Sequence, residues 1–321
     1  MSARELIVLG TGSQVPSRTR NHNAAFLRWD ELGILFDPGE GTQRQMILAG
    51  VAATQITHIA ITHFHGDHCL GLAGTVQRLS LDRVAHPVEV VYPASGQVYF
   101  ERLRNASIFQ DAATIVPRPI AGAPGEAILA GRWGAARLIA RALDHRVECF
   151  GYRLEEDDGL SMLKDRLDAA GIRGADVSAL IRDGQIERPE RTWRLDELSA
   201  RRPGQVFAFV MDTRPCPGAY ELARAADLLV SESTYLTSEA TEAHERCHMT
   251  AAQAAELARD AAARRLVLTH FSQRYTDLAA FADEARAHHP DVVVAEDLMR
   301  VPVPRRAAVA ADAETGDATG D

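Results

Sequence analysis

Eight consecutive residues, Ile61-Thr62-His63-Phe64-His65-Gly66-Asp67-His68, constrain this chain more than any other stretch. Just upstream, residues 55–62 alternate apolar and polar side chains well enough to predict a strand, so three histidines and a carboxylate emerge together where it ends. Neutral imidazole and carboxylate are donors that suit Zn²⁺, and Gly66 allows a tight turn between them. The spacing lets His63 and His65 address one ion while Asp67 and His68 address a neighbour. Two metals are therefore the natural reading. The bland alternative is a solvated histidine-rich turn, but random loops rarely hold four metal-competent side chains within six residues, His63 to His68.

Other strand ends carry the same chemistry. Gly33-Ile34-Leu35-Phe36 ends in Asp37 beside a glycine-rich turn, a position from which a carboxylate can orient a ligating histidine or merely cap its own turn. Gln205–Met211 delivers Asp212, which can bridge two metals with one oxygen to each or serve as a turn residue. Leu266–Thr269 ends in His270 just as the earlier strand ends in His63. His145, alone in its segment, gains weight because His63 and His65 by themselves are too few for a stable site. His248 precedes an Ala-rich helix that opens with the capping pair Thr250 and Gln253, so it sits where a phosphate is favoured, or is simply a loop histidine. Arg18 and Arg20 lie on a short polar loop able to clamp phosphate, with a solvated basic turn as the alternative.

Strands and helices alternate along most of the chain, which predicts a layered α/β architecture. Gly10-Thr11-Gly12 reads as a tight turn, because neither a third glycine nor a helix follows to make a nucleotide loop. From about residue 155 to 203 the character changes to a polar, glycine-punctuated stretch, read as an inserted arm with a helix over residues 160–170. Between Ile181 and Arg202 it holds six arginines against five acids, so the arm is mixed in charge rather than basic. The remainder, residues 1–303, reads as one catalytic domain, and residues 304–321 as a disordered tail. No apolar run is long enough to span a membrane or serve as a signal peptide. With four cysteines in no paired spacing, a cytoplasmic protein with reduced thiols is expected. The net charge of −9 argues against broad adhesion to nucleic acid, so any polyanion must be gripped locally.

Asp37, the His63-to-His68 cluster, His145, Asp212 and His270, in that order and at or near strand ends, resemble the metallo-β-lactamase superfamily. Within it, several stretches are similar to the ribonuclease Z family of tRNA 3′-processing endonucleases. They are Pro16-x-Arg18-x-Arg20-Asn21, Phe36-Asp37-Pro38-Gly39-Glu40-Gly41-Thr42-Gln43, Asp212-Thr213-Arg214-Pro215-Cys216, Glu232-Ser233-Thr234 with His248-Met249-Thr250, and Thr269-His270-Phe271-Ser272-Gln273-Arg274-Tyr275. The match runs over roughly residues 6 to 303. The resemblance implies an αββα sandwich of two mixed sheets with outer helices. It also implies two Zn²⁺ per chain, the first held by His63, His65, His145 and Asp212, the second by Asp67, His68, His270 and Asp212.

By the same resemblance, Asp67 is the general base and His248 donates a proton to the leaving 3′ oxygen. Arg18, Arg20, Asn21 and Arg274 would contact RNA phosphates. The substrate would be precursor tRNA, cut to leave a 3′-hydroxyl on the tRNA and a 5′-phosphate on the trailer. The enzyme would be a homodimer in which one subunit's arm reaches over its partner's active site. Two departures stand out. Arg18 replaces the family's usual lysine and keeps the charge, whereas residues 170–176 lack the prolines of the family's tRNA-holding motif. The competing readings are a phosphodiesterase of the same superfamily acting on small molecules, and a catalytically silent RNA-binding protein.

Overall fold

The opening run Leu6-Ile7-Val8-Leu9 shows why this chain layers as it does. Its side chains point alternately to two faces, and both faces are buried: Leu6 and Val8 join the core between two sheets, Ile7 and Leu9 the core beneath the outer helices. The strand Val206–Val210 repeats the device in the second sheet, with Phe207 and Phe209 facing the other sheet and Val206, Ala208 and Val210 facing Ala-rich helices. Phe36 stacks on Phe209 across the middle at 4.6 Å between ring centroids, and Trp29, Tyr152 and Phe207 fill the space around them.

The structure is a computed structural model that describes residues 4–306. Among these, residues 4–155 and 206–304 form one compact unit. It holds two seven-stranded sheets face to face with helices outside, which is the expected αββα sandwich. In each sheet antiparallel strands give way to a parallel run: Leu32–Phe36, His58–Ala60, Val88–Pro93 and Ile115–Ile120 in the first, Val206–Val210, Leu228–Glu232, Leu266–Thr269 and Val292–Val294 in the second. Parallel strands bring their carboxyl ends to one rim, where ligands bind in open α/β sheets. Asp37, His63, Asp212, Glu232 and His270 all lie at such ends.

Local signals set the helices that flank this rim. The helix Thr42–Ala49 closes on Gly50 in the left-handed conformation, and Ala251–Asp260 opens on Thr250, whose hydroxyl accepts from Gln253 N at 3.2 Å. The strand expected over residues 55–62 is regular only at His58–Ala60, because a short helical turn at Ala53–Gln55 precedes it.

The second unit is centred on Glu156–Gln205. Its secondary structure corrects the sequence expectation. Gly159–Met162 is a strand paired antiparallel with Ser199–Arg202, so the helix begins only at Lys164. A second helix, Ala175–Asp183, and the hairpin of Gln185–Glu187 with Thr192–Arg194 follow. Leu167, Ile172, Leu180 and Leu198 give this unit a small core of its own. The tail expected to be disordered lies, from residue 307 on, outside the described residues.

Candidate metal centre

Four of the histidines at the rim are fixed by the nitrogen that faces outward. His68 Nδ1 donates to Asp37 Oδ2 at 2.8 Å, and His145 Nδ1 donates to the Cys247 carbonyl at 3.2 Å. His270 Nδ1 donates to Thr234 Oγ1 at 2.9 Å, since that hydroxyl gives its own proton to Glu232 Oε2 at 2.6 Å. His63 Nδ1 donates in the same way to Thr62 Oγ1 at 3.1 Å, while Thr62 gives its proton to Asp37 Oδ2 at 2.8 Å. With those nitrogens engaged outward, the other ring nitrogens turn inward, where their lone pairs can take a cation.

Those lone pairs crowd together. His63 Nε2 and His145 Nε2 lie 2.9 and 3.3 Å from His65 Nδ1, and His68 Nε2 lies 3.1 Å from His270 Nε2. Bare lone pairs at such distances repel; a cation among them turns each repulsion into a bond. Donors around a tetrahedral zinc with bonds near 2.0–2.1 Å stand about 3.3 Å apart, so the set fits a metal.

Asp212 joins the two groups. Its Oδ2 lies 3.6 Å from His63 Nε2, 3.8 Å from His145 Nε2 and 3.4 Å from His68 Nε2, while its Oδ1 lies 3.2 Å from His270 Nε2. Although buried, Oδ1 makes no hydrogen bond, which is what a carboxylate oxygen meant for a cation looks like. Asp67 Oδ2 completes the second group at 3.4 Å from His68 Nε2 and 3.5 Å from His270 Nε2. The donor atoms of His63, His65, His145 and Asp212 form one cluster and those of Asp67, His68 and His270 another.

Charge follows geometry. Burial lowers the pKa of His63, His65 and His145, keeping them as the neutral imidazoles that metals need. At His68 burial is outweighed by Asp212, Asp67 and Asp37, which raise its pKa well above the usual value. Burial likewise fails to hold up the Asp67 carboxyl, which the charge of His68 and the neighbouring His270 keep well below the carboxylate range. Asp37, Asp67 and Asp212 thus concentrate negative charge at the rim and call for cations there.

His248 stands beside this centre, its donor atom within 4.8 Å of those of Asp212 and His270. Its Nδ1 donates to Glu232 Oε1 at 2.9 Å, and Glu232, wholly buried, also accepts from Thr213 N at 2.7 Å and Met249 N at 3.1 Å. Against the pull of burial, the charge of Glu232 raises the His248 pKa to about 9. His248 and the metal-site residues His65, Asp67, His145 and Asp212 line a cavity of about 560 Å³ whose mouth carries Arg146, Arg246, Arg274 and Tyr235.

Residues 18–146 of the chain match the metallo-β-lactamase superfamily and residues 184–271 a β-lactamase superfamily domain. Ribonuclease Z of Nocardia farcinica is 58% identical over 307 residues, covering 95% of this chain and 100% of that protein. Ribonuclease Z of Salinispora arenicola is 57% identical over 95% of this chain and 98% of its own length. The chain belongs to the ribonuclease Z family. Among solved structures, human tRNase Z, short form, superposes with a TM-score of 0.69 at 26% identity, covering 94% of this chain and 99% of that one.

In this ribonuclease Z family chain the residues expected at RNA phosphates divide. Arg18 is exposed and has no hydrogen-bond or ion-pair partner among the described residues. Arg274 lines the cavity mouth, paired with Glu242 at 2.9 Å through both terminal nitrogens and lying 5.0 Å over the Tyr235 ring. Arg20 is a correction: it is buried, and its guanidinium donates to the carbonyls of Tyr275 at 2.6 Å and Ser272 at 3.3 Å, so it ties two loops together and does not line the cavity mouth. Asn21 is half-buried, and its amide donates to the Glu40 carbonyl at 2.9 Å. Residues that sequence reasoning left without a role include Thr62, Thr234, Glu232, Arg146 and Arg246. Only Glu232, an acid ending a strand that opens Leu228-Leu229-Val230, carried a signal comparable to that of Asp37.

Proposed function

We propose that the centre takes two zinc ions and that the chain, a metal-dependent endoribonuclease of the ribonuclease Z family, removes 3′ trailers from precursor tRNA. The cut would leave a 3′-hydroxyl on the tRNA and a 5′-phosphate on the trailer. Asp212 is the observation that supports this most: one buried carboxylate lies between two histidine sets, its Oδ2 near His63, His145 and His68 and its unsatisfied Oδ1 near His270. His63, His65, His145 and Asp212 would hold one ion, and Asp67, His68, His270 and Asp212 the other. When bound, such a pair supplies Lewis-acid neutralisation of phosphate charge and acidifies water.

The protein's own groups supply the proton transfers. Asp67, whose carboxyl is held low by His68 and His270, would accept the proton of the attacking water. His248, protonated and steadied by Glu232, is the donor for the leaving 3′ oxygen, which departs poorly as an alkoxide. Arg146, Arg246 and Arg274 at the mouth, with exposed Arg18, give the local grip on RNA phosphates that a net charge of −9 otherwise denies.

Exposed Ile47 and Leu48 on Thr42–Ala49, and Leu81 on the helix packed beside it, support a homodimer. Four free cysteines, and the absence from the described residues of any helix able to cross a membrane, fit a cytoplasmic setting. The deciding experiment is cleavage of an end-labelled precursor tRNA by metal-quantified protein, with both product ends mapped. A cut after the discriminator base with about two metals per chain is expected. Two bound metals and activity on a small phosphodiester, but none on precursor tRNA, would overturn the substrate.

A further inference from the structure

Gln14 sits beside Asp67 in an unusual turn. Val15 N donates to Ser13 O at 2.6 Å across it, and Gln14 itself has φ 58. A three-residue turn of this hand is rare and strained, and it persists only where its surroundings hold it. Two contacts do so. The Gln14 N–H donates to Asp67 Oδ2 at 2.7 Å, and the Gln14 carbonyl faces His22 Nε2 at 3.2 Å. A carbonyl only accepts, so Nε2 is the protonated nitrogen of His22.

His22 is built in tightly. Its ring is buried and borders the catalytic cavity, its Nδ1 has no partner, and its backbone bridges Gly12. A side chain at Gly39 would place its Cβ 2.7 Å from His22 Cβ and 2.2 Å from the Asp67 carbonyl oxygen, so glycine there lets the histidine and the Asp67 backbone close on one another. The ring therefore cannot swing away, and its single hydrogen bond falls on the strained residue that grips Asp67.

We propose that His22 is a positioning residue: by holding the Gln14 carbonyl it keeps the strained turn closed over Asp67, so that the Gln14 N–H orients the carboxylate for proton transfer. This rests on the role assigned to Asp67 above. A neutral hydrogen bond is worth about 1 kcal/mol, so its loss should lower the rate roughly five- to tenfold.

The test compares two conservative variants that keep a polar, uncharged side chain. His22→Gln carries its amide at the Nε2 position and should preserve kcat on precursor tRNA within about threefold, whereas His22→Asn, whose amide falls at the Nδ1 position, should lose about five- to tenfold. KM and bound metal should stay unchanged in both. Hydrogen exchange at the Gln14 amide, followed by NMR in metal-free and metal-loaded protein, should quicken about tenfold in His22→Asn and not in His22→Gln. Equal kcat in the two variants, a loss confined to KM, a fall in bound metal, or unchanged Gln14 exchange would each overturn the proposal. Failure of the parent protein to cut precursor tRNA, with Gln14 exchange still set by residue 22, would overturn the substrate and leave the positioning intact.

Discussion

Asp37 and Asp212 occupy matching places in the two sheets, and comparing them shows what separates a carboxylate that positions from one that binds. Each follows a buried parallel strand, each is itself buried, and each adopts left-handed backbone, with φ 44 and 45. Such strain in both halves is the kind found where side chains are aimed for function. Their surroundings then diverge. Asp37 receives Thr62 N at 2.7 Å, Thr62 Oγ1 at 2.8 Å and His68 Nδ1 at 2.8 Å, so donors surround it. Asp212 instead faces the inward ring nitrogens of His63, His145, His68 and His270 and keeps one oxygen without a hydrogen bond. The same backbone solution serves both, and the neighbours decide the role.

The sharpest way to break this comparison is to remove each carboxylate in turn. Asp212→Ala should abolish metal binding and reduce cleavage to background, because the first histidine set loses its only carboxylate and both sets lose the group that joins them. In metal-free protein, however, the stability cost should be smaller than that of Asp37→Ala, since one of the two Asp212 oxygens makes no hydrogen bond there. A variant that kept two metals per chain by elemental analysis would end the bridging role. His248→Ala comes next: metal content should hold while kcat falls about 10²- to 10⁴-fold. Loss of metal together with activity would make His248 a ligand instead of the acid. Asp37→Ala should cost less activity but more stability. Metal affinity should drop about 10- to 100-fold as His68 loses its support. Stranding buried donors should cost about 3 kcal/mol or more, read by urea denaturation of the metal-free protein. Equal destabilisation by Asp37→Ala and Asp212→Ala would erase the distinction between them.

The clustered donors were legible because they concentrate chemistry that has no other common use: four donors in a few residues after a strand, then single Asp and His residues at later strand ends. The groups that aim them were not. Thr62, Thr234 and the carbonyl of Cys247 are ordinary in sequence, and only the fold brings them to the back of an imidazole. Arg20 was misread for the same reason, since nothing local reveals that the carbonyls of Ser272 and Tyr275 take its guanidinium. In the arm, Gly159–Met162 passed for the start of a helix because its partner strand, Ser199–Arg202, lies far along the chain. Long-range pairing overrode local propensity there.

Glu242 extends the comparison to the surface, where the expected effects are smallest. Like Asp37 it is saturated by donors: Arg274 binds it at 2.9 Å through two nitrogens and Arg246 at 2.9 Å through a third. Unlike the donors to Asp37, these are exposed guanidinium groups at the cavity mouth, and exposed ion pairs hold weakly. A phosphate offers them the same planar pairing that the carboxylate does, so RNA and Glu242 compete for both arginines. Arg246→Ala and Arg274→Ala should each raise KM for precursor tRNA a few-fold with kcat nearly unchanged, and flatten the salt dependence of binding by somewhat less than one unit of slope. Glu242→Gln should act in the opposite sense, lowering KM by freeing both arginines at once. A rise in KM for Glu242→Gln would mean that the carboxylate organises the arginines for RNA as Asp37 organises His68 for metal, and the contrast between buried and exposed acids would give way to a single rule.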